Sequence, residues 1–216
     1  MYQLDSNVSW HNEVIGKRVV EALRKNNFSA CYVKSGNDAV KLVLAEVEKE
    51  ASIGIGGSVT LNEIGLIQAM EKGSYHIYDH NKEGLTREES LQIRRNELMA
   101  DVFITSSNAI TMNGELVNTD GSGNRVAGMI FGPRKVFVIA GINKIVSDIN
   151  AAIERIKNIA APINAKRLQR KTPCAITGEC ADCSSPERIC CVTTIMNKKP
   201  VAIEMKVIII GEEFGY

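Results

Sequence analysis

Apolar positions recur at helical spacing between residues 8 and 25. Val8, Val14, Ile15, Val19, Ala22 and Leu23 share one side, and Lys17, Arg18 and Arg24 fall largely between them. The pattern predicts a leading amphipathic helix within residues 1–30. Ala30–Val33 then reads as a strand, Ser35 as the cap of a helix to about Glu50 with Val40, Val43, Leu44 and Val47 inward, and Ser52–Ile55 as a second strand. Gly56, Gly57 and Ser58 follow at once, and Thr60 with Glu63 has capping-box spacing. Tyr75–Asp79 reads as a strand, and Thr86 with Glu89 as a second capping box for a helix reaching Met99. Asp101–Thr105 and Lys135–Ala140 are further strands, the latter an apolar run of the kind covered on both faces. From Ala109 to Arg125 the rhythm breaks, because Gly114, Gly121 and Gly123 with Asp120 and Asn124 mark turns between short antiparallel strands. Ser147–Ile159 is the last long helix; beyond Ala161-Pro162 comes a cysteine-bearing loop at 172–192, and Glu204–Ile210 closes the chain as a strand.

Strands alternating with helices imply right-handed crossovers and parallel pairing. The expected fold is α/β: an open, mostly parallel, Rossmann-like sheet with helices on both faces, a small antiparallel section and a C-terminal cysteine loop, in a single domain over residues 1–216. With 44% hydrophobic residues, 216 residues are enough to bury a core. A formal net charge of +1, from 26 basic and 25 acidic residues, supplies no global field for nucleic acid or an anionic membrane, and neither is an expected partner. Asp5, His11 and Glu13 interrupt the stretch where an export signal needs apolar residues, and Val207–Ile210 with its neighbours is too short to cross a bilayer. A soluble, cytoplasmic setting is expected, in which the six cysteines would bind metal or stay free rather than form disulfides.

The segment Gly54-Ile55-Gly56-Gly57-Ser58-Val59-Thr60 leads from a strand into a helix, a place where backbone N–H groups meet phosphate or carboxylate. It lacks the Lys and the spacing of the phosphate loop and is not the dinucleotide glycine pattern, so a purely structural turn is the other reading. Asn118-Thr119-Asp120-Gly121-Ser122-Gly123-Asn124-Arg125 mixes turn residues with polar groups; Arg125 can grip an anion with two parallel hydrogen bonds. Asn143 and Lys144, after the buried strand, lie where open α/β sheets bind ligands. His76 and His80 read more readily as surface or packing than as catalysis, and Glu63 and Glu115 are candidate carboxylates without a placed substrate. Lys166, Arg167, Arg170 and Lys171 form a solvated helix end or a collar for an anion.

Cys31 sits in a strand as a core residue, leaving Cys174, Cys180, Cys183, Cys190 and Cys191. Four thiolates close a zinc or an iron–sulfur site, although the spacing is neither that of a zinc ribbon nor of a ferredoxin; free or redox-active thiols are the alternative. Adjacent cysteines in a strand point to opposite faces, so Cys174, Cys180, Cys183 and Cys190 are the expected ligands.

Taken together, Gly56-Gly57-Ser58-Val59-Thr60-Leu61 with Glu63 and Gly65, Ala100-Asp101, Asn118 to Arg125, and Gly141-Ile142-Asn143-Lys144 resemble the LUD family of lactate-utilisation proteins over about residues 10–215. The resemblance implies the fold shared by ribose-5-phosphate isomerase, glucosamine-6-phosphate deaminase and CoA transferases, with the site at the glycine turn. It also implies a role in oxidising lactate to pyruvate beside iron–sulfur partner proteins. Larger members carry ferredoxin-like cysteine repeats in an added domain, whereas this chain has only its compact cluster. On this reading Gly56, Gly57, Ser58, Arg125 and Lys144 hold a small anionic metabolite and the cysteine cluster passes electrons. A non-catalytic binding or regulatory module with structural zinc is the alternative, and a phosphosugar isomerase or CoA-transferase-like enzyme the third, since fold kinship alone grants no reaction. Self-association is left open.

Overall fold

The computed structural model describes residues 5–73 and 75–216; Met1–Leu4 of the expected leading segment and position 74 lie outside the described residues. Its centre is a pair of apolar strands whose side chains alternate between two cores. Val136, Val138 and Ala140 face one core and Phe137 and Ile139 the other, and Val207 and Ile209 alternate with Ile208 and Ile210 in the same way, all fully buried. A strand covered on both faces needs no polar alternation, and each of these Val, Ile and Phe side chains contributes about 1.5–3 kcal/mol of burial.

In chain order the elements are α1 (Ser6–Lys25), β1 (Ser29–Val33), α2 (Gly36–Glu46), β2 (Ser52–Ile55), α3 (Val59–Glu63), α4 (Leu66–Glu71), β3 (His76–Asp79), α5 (Arg87–Glu97), β4 (Val102–Thr105), β5 (Ala109–Thr111), β6 (Leu116–Asp120) and α6 (Asn124–Ile130). There follow β7 (Lys135–Gly141), a tight turn at Ile142–Lys144, β8 (Ile145–Val146), α7 (Ile149–Arg155), a π turn (Ile156–Ala160), α8 (Ala161–Arg167), α9 (Pro173–Thr177), β9 (Val192–Met196) and β10 (Glu204–Ile210). One six-stranded sheet, ordered β1-β10-β7-β4-β2-β3, is parallel throughout. The stretch expected to break the rhythm forms a second, four-stranded sheet, β8-β5-β6-β9, in which β6 is antiparallel to both neighbours. No helix among the described residues is long and apolar enough to cross a membrane.

Several local expectations change. The apolar stripe of α1 meets the sheet only from Gly16 onward, so Val8 and Val14 are about half exposed. The box at Thr86 and Glu89 forms, but the one at Thr60 and Glu63 does not. Ser58 caps α3 instead, its hydroxyl accepting from Leu61 N–H, because a cap must precede the helix and Thr60 already lies inside it. The helix expected to stop near Ile159 continues through the π turn into α8. Pro162 follows this π turn directly, at the second residue of α8.

Gly54 is a packing residue rather than part of a ligand-binding turn. It lies inside β2, and a β-carbon there would stand 2.7 Å from the carbonyl oxygen of Glu97 and 2.9 Å from its α-carbon. Glycine lets the end of α5 press on the sheet and so sets the position of Glu97. Overpacking against backbone cannot relax by a rotamer change, so Gly54→Ala should lower stability by about 1–3 kcal/mol. An unchanged urea midpoint would show that the close approach is not required.

Candidate functional site

From β2 the chain runs to β3 on one side, and from β4 it runs to β7 on the other. Such a reversal of strand order parts the loops at the carboxyl ends of the strands and opens a crevice. Here it holds a cleft of about 220 Å³. Gly56, Gly57 and Ser58 come from the end of β2, His80 and Asn81 from β3, Ser106, Ser107 and Asn108 from β4, and Lys144 from beyond β7. The opposite wall carries Asp120, Asn124 and Arg125, and the rim Arg167 and Arg170. Among the described residues Arg94, Arg125, Lys144, Arg167 and Arg170 line it against the side-chain carboxylate of Asp120, a balance that favours an anionic ligand. Two of the four residues in the basic cluster thus lie on the cleft's lining.

Lys144 is 3% exposed. Its Nζ donates to Thr60 Oγ1 at 2.9 Å and Ser106 Oγ at 3.1 Å, so its hydrogen-bond partners are hydroxyls. Burial, reinforced by repulsion from Arg155 and Arg125 and only partly offset by Glu63, pushes its ammonium down to about 7. Arg94, on α5, has a buried Nε with no hydrogen-bond partner, a costly state unless a ligand supplies the acceptor.

One helical turn from Arg94, Glu97 is wholly buried and accepts from His80 Nδ1 at 2.6 Å; Asn124 Nδ2 donates to its other oxygen at 3.3 Å. With Glu97 as the acceptor, Nδ1 carries the proton of this bond and Nε2 is the ring nitrogen left free of it. Nε2 lies beside Gly57, where an added β-carbon would be 3.3 Å away, and Gly57 itself has the left-handed φ of 63°. Carboxylate, imidazole and glycine turn form one unit able to take or return a proton at the cleft.

Arg125 lines the cleft, but its donors are committed. Nε bonds Asp120 Oδ1 at 2.7 Å, Nη1 bonds Asn118 Oδ1 at 2.8 Å, and Nη2 bonds Asn108 Oδ1 at 3.0 Å and Thr119 O at 2.9 Å. It contributes charge to the cleft and holds its wall. Asn118 is buried behind it. Asn143 also lies off the cleft: its Nδ2 donates to Gly215 O and its Oδ1 accepts from Phe214 N–H. Thr60 donates to Phe214 O and Glu63 accepts from Gly215 N–H, so these expected ligand and cap residues seat segment 214–216, whose Tyr216 lines the cleft. Glu115 bonds Thr111 in the β5–β6 turn, away from the site. Because α3 has only five residues, its dipole adds little of the anion attraction expected there. Reasoning from sequence passed over Arg94 and Glu97 and gave His80 little weight; the three-residue spacing on one face of α5 was the available signal.

The sequence matches the LUD domain over residues 16–210. The chain belongs to the LUD domain family. This family is linked to lactate utilisation in general. A crystal structure of a DUF162 family protein from Deinococcus radiodurans is similar in fold, with a TM-score of 0.51 at 12% identity, covering 92% of this chain and 98% of that one. No curated protein matches. In this LUD domain the four cysteines Cys174, Cys180, Cys183 and Cys190 line a second, small cavity beside the cleft.

The displaced amine of Lys144 gives a pH test. The unfolded chain holds this proton up to about 10.5 and the folded chain releases it near 7, so the folded state carries a penalty below about 7 that fades as pH approaches 10.5. Lys144→Met lacks the penalty. Its melting temperature relative to the parent should be highest in mild acid and decline steadily through the alkaline range; a difference independent of pH would mean the amine is not displaced.

Proposed function

We propose that this LUD domain binds a small 2-hydroxy or 2-oxo carboxylate in the cleft, with lactate and pyruvate as the reference pair, and serves lactate oxidation beside iron–sulfur partner proteins that accept the electrons. The observation that carries the reading is the buried, unpartnered Nε of Arg94 in a cleft where the amine of Lys144 bonds only hydroxyls. A 2-hydroxy or 2-oxo carboxylate offers an acceptor to each. Arg94 takes the carboxylate, Lys144 lies beside the hydroxyl or carbonyl oxygen, and His80, held by Glu97, accepts the hydroxyl proton as lactate gives up two electrons and two protons. The family's link to lactate utilisation agrees with this assignment.

Titration calorimetry with lactate, pyruvate and oxalate tests it. Arg94→Ala should weaken binding by about 1.5–3 kcal/mol, roughly ten-fold or more. Protonated Lys144 attracts an anion, so affinity should increase as pH falls through about 7, and that slope should vanish in Lys144→Met. Binding that ignores both substitutions would place the ligand elsewhere, and absence of binding to all three acids would sink the reading.

A further inference from the structure

The cysteine cavity is built by local turns rather than by an apolar core. α9 presents Cys174, Gly178 turns the chain with a φ of 81°, and Asp182 adopts a φ of 43° between Cys180 and Cys183. Arg188 then fastens the two halves of the loop: its Nη1 donates to Cys183 O, its Nε to Cys190 O at 2.8 Å and its Nη2 to Asp182 Oδ1 at 2.9 Å. Four thiols thus face one space whose inner surface is almost wholly apolar, and all are free. Cys191 lies outside it, exposed, with its Sγ 3.5 Å from Arg188 O.

Among the described residues no three His, Cys, Asp or Glu side chains are grouped to hold one metal ion. A lone zinc draws each sulfur to about 2.3 Å and so packs its thiolates close together. A cluster of several irons and sulfides is larger and holds its four thiolates further apart. Four cysteines spread around the lining of one cavity are placed for the second arrangement. The cavity's apolar lining suits a sulfide core, and Lys157 and Arg188, the latter also paired with Asp182, place positive charge beside the thiols.

We propose that Cys174, Cys180, Cys183 and Cys190 hold a polynuclear iron–sulfur cluster, not a zinc ion. When bound, such a cluster supplies a one-electron centre. Its cavity shares Ala161, Ile189 and Cys190 with the cleft, so the cluster backs directly onto the ligand site. The assignment does not depend on what the cleft binds.

The full chain, expressed and reconstituted without oxygen in ferrous iron and sulfide, should retain iron and acid-labile sulfide in equal amounts. It should also show a broad visible absorption that dithionite bleaches and a paramagnetic resonance signal on reduction. Serine at any of the four positions should abolish the cluster, whereas Cys191→Ser should keep it, with matched far-ultraviolet dichroism excluding misfolding. Independently of any variant, the four thiols of the reconstituted wild-type chain should resist alkylation that they undergo in the apoprotein, with Cys191 labelled in both. A colourless chain that retains zinc alone or no metal, or a cluster that survives all four substitutions, would overturn the proposal.

Discussion

The cleft depends on the largely buried guanidinium of Arg125. Its bonds join two stretches of chain: Asn108 in the loop after β4, and Asn118, Thr119 and Asp120 in β6. Those acceptors are shared in turn. Asp120 Oδ2 accepts from Val126 N–H, Asn118 Oδ1 from Asn108 N–H and Ser107, and Asn108 Oδ1 from Thr119 N–H. Arg155 grasps the same loop from behind through Asn108 O and reaches Asn143 O. Removing one member of a buried, hydrogen-bonded ion pair costs about 3–5 kcal/mol, because the other charge is left without its partner. Here the loss would also free the Asn108 loop from β6.

That commitment determines which cations remain for chemistry. Arg125 and Arg155 spend their donors on the scaffold but keep their charge, and that charge helps depress Lys144, which has only hydroxyl partners. Structural cations therefore tune a neighbouring one toward the neutral amine. Arg94 differs from both, since it lines the cleft and its buried Nε has no acceptor among the described residues. The opposite sign is handled in the same way: Glu97, wholly buried, is compensated by His80 and Asn124, and its position follows from the missing side chain of Gly54. Scaffold and site are one electrostatic arrangement.

The large sheet was legible because two-faced burial writes itself as unbroken apolar runs, and the Thr86 box because all its partners lie within four residues. The same Thr-x-x-Glu pattern misled at Thr60. There the hydroxyl and carboxylate serve Phe214 and Gly215, about 150 residues away, and no local window contains that contact. Glycine turns and basic residues pointed to the right end of the sheet. The working groups within it were harder to see, because Arg94 and Glu97 sit on a polar helix whose cleft-facing side is set by how α5 packs on β2. His80 looked like a surface histidine until a buried carboxylate was found behind it, and Arg125 like a ligand grip until four acceptors were found around it. A sequence shows which residues can bond an anion; only packing shows whether their donors are already taken.

The cysteine loop joins this arrangement at a definable point. Cys191 N–H donates to Asp120 O at 2.9 Å, and Ile189 packs so closely on Gly121 that a β-carbon there would lie 3.2 Å from its α-carbon. The backbone carrying Cys190 is therefore anchored to the residue that pairs with Arg125. From the other side, Ala161 enters both cavities at the point where the π turn gives way to α8, and α8 and the turn after it carry Arg167 and Arg170 to the cleft's rim. A π turn inside a long helix is a local widening found at functional sites; here it places Ile156 and Ala160 on the cleft and Lys157 on the cysteine cavity. Ordering of the cysteine loop and the shape of the cleft cannot vary independently, because Asp120 on one side and the π turn on the other belong to both.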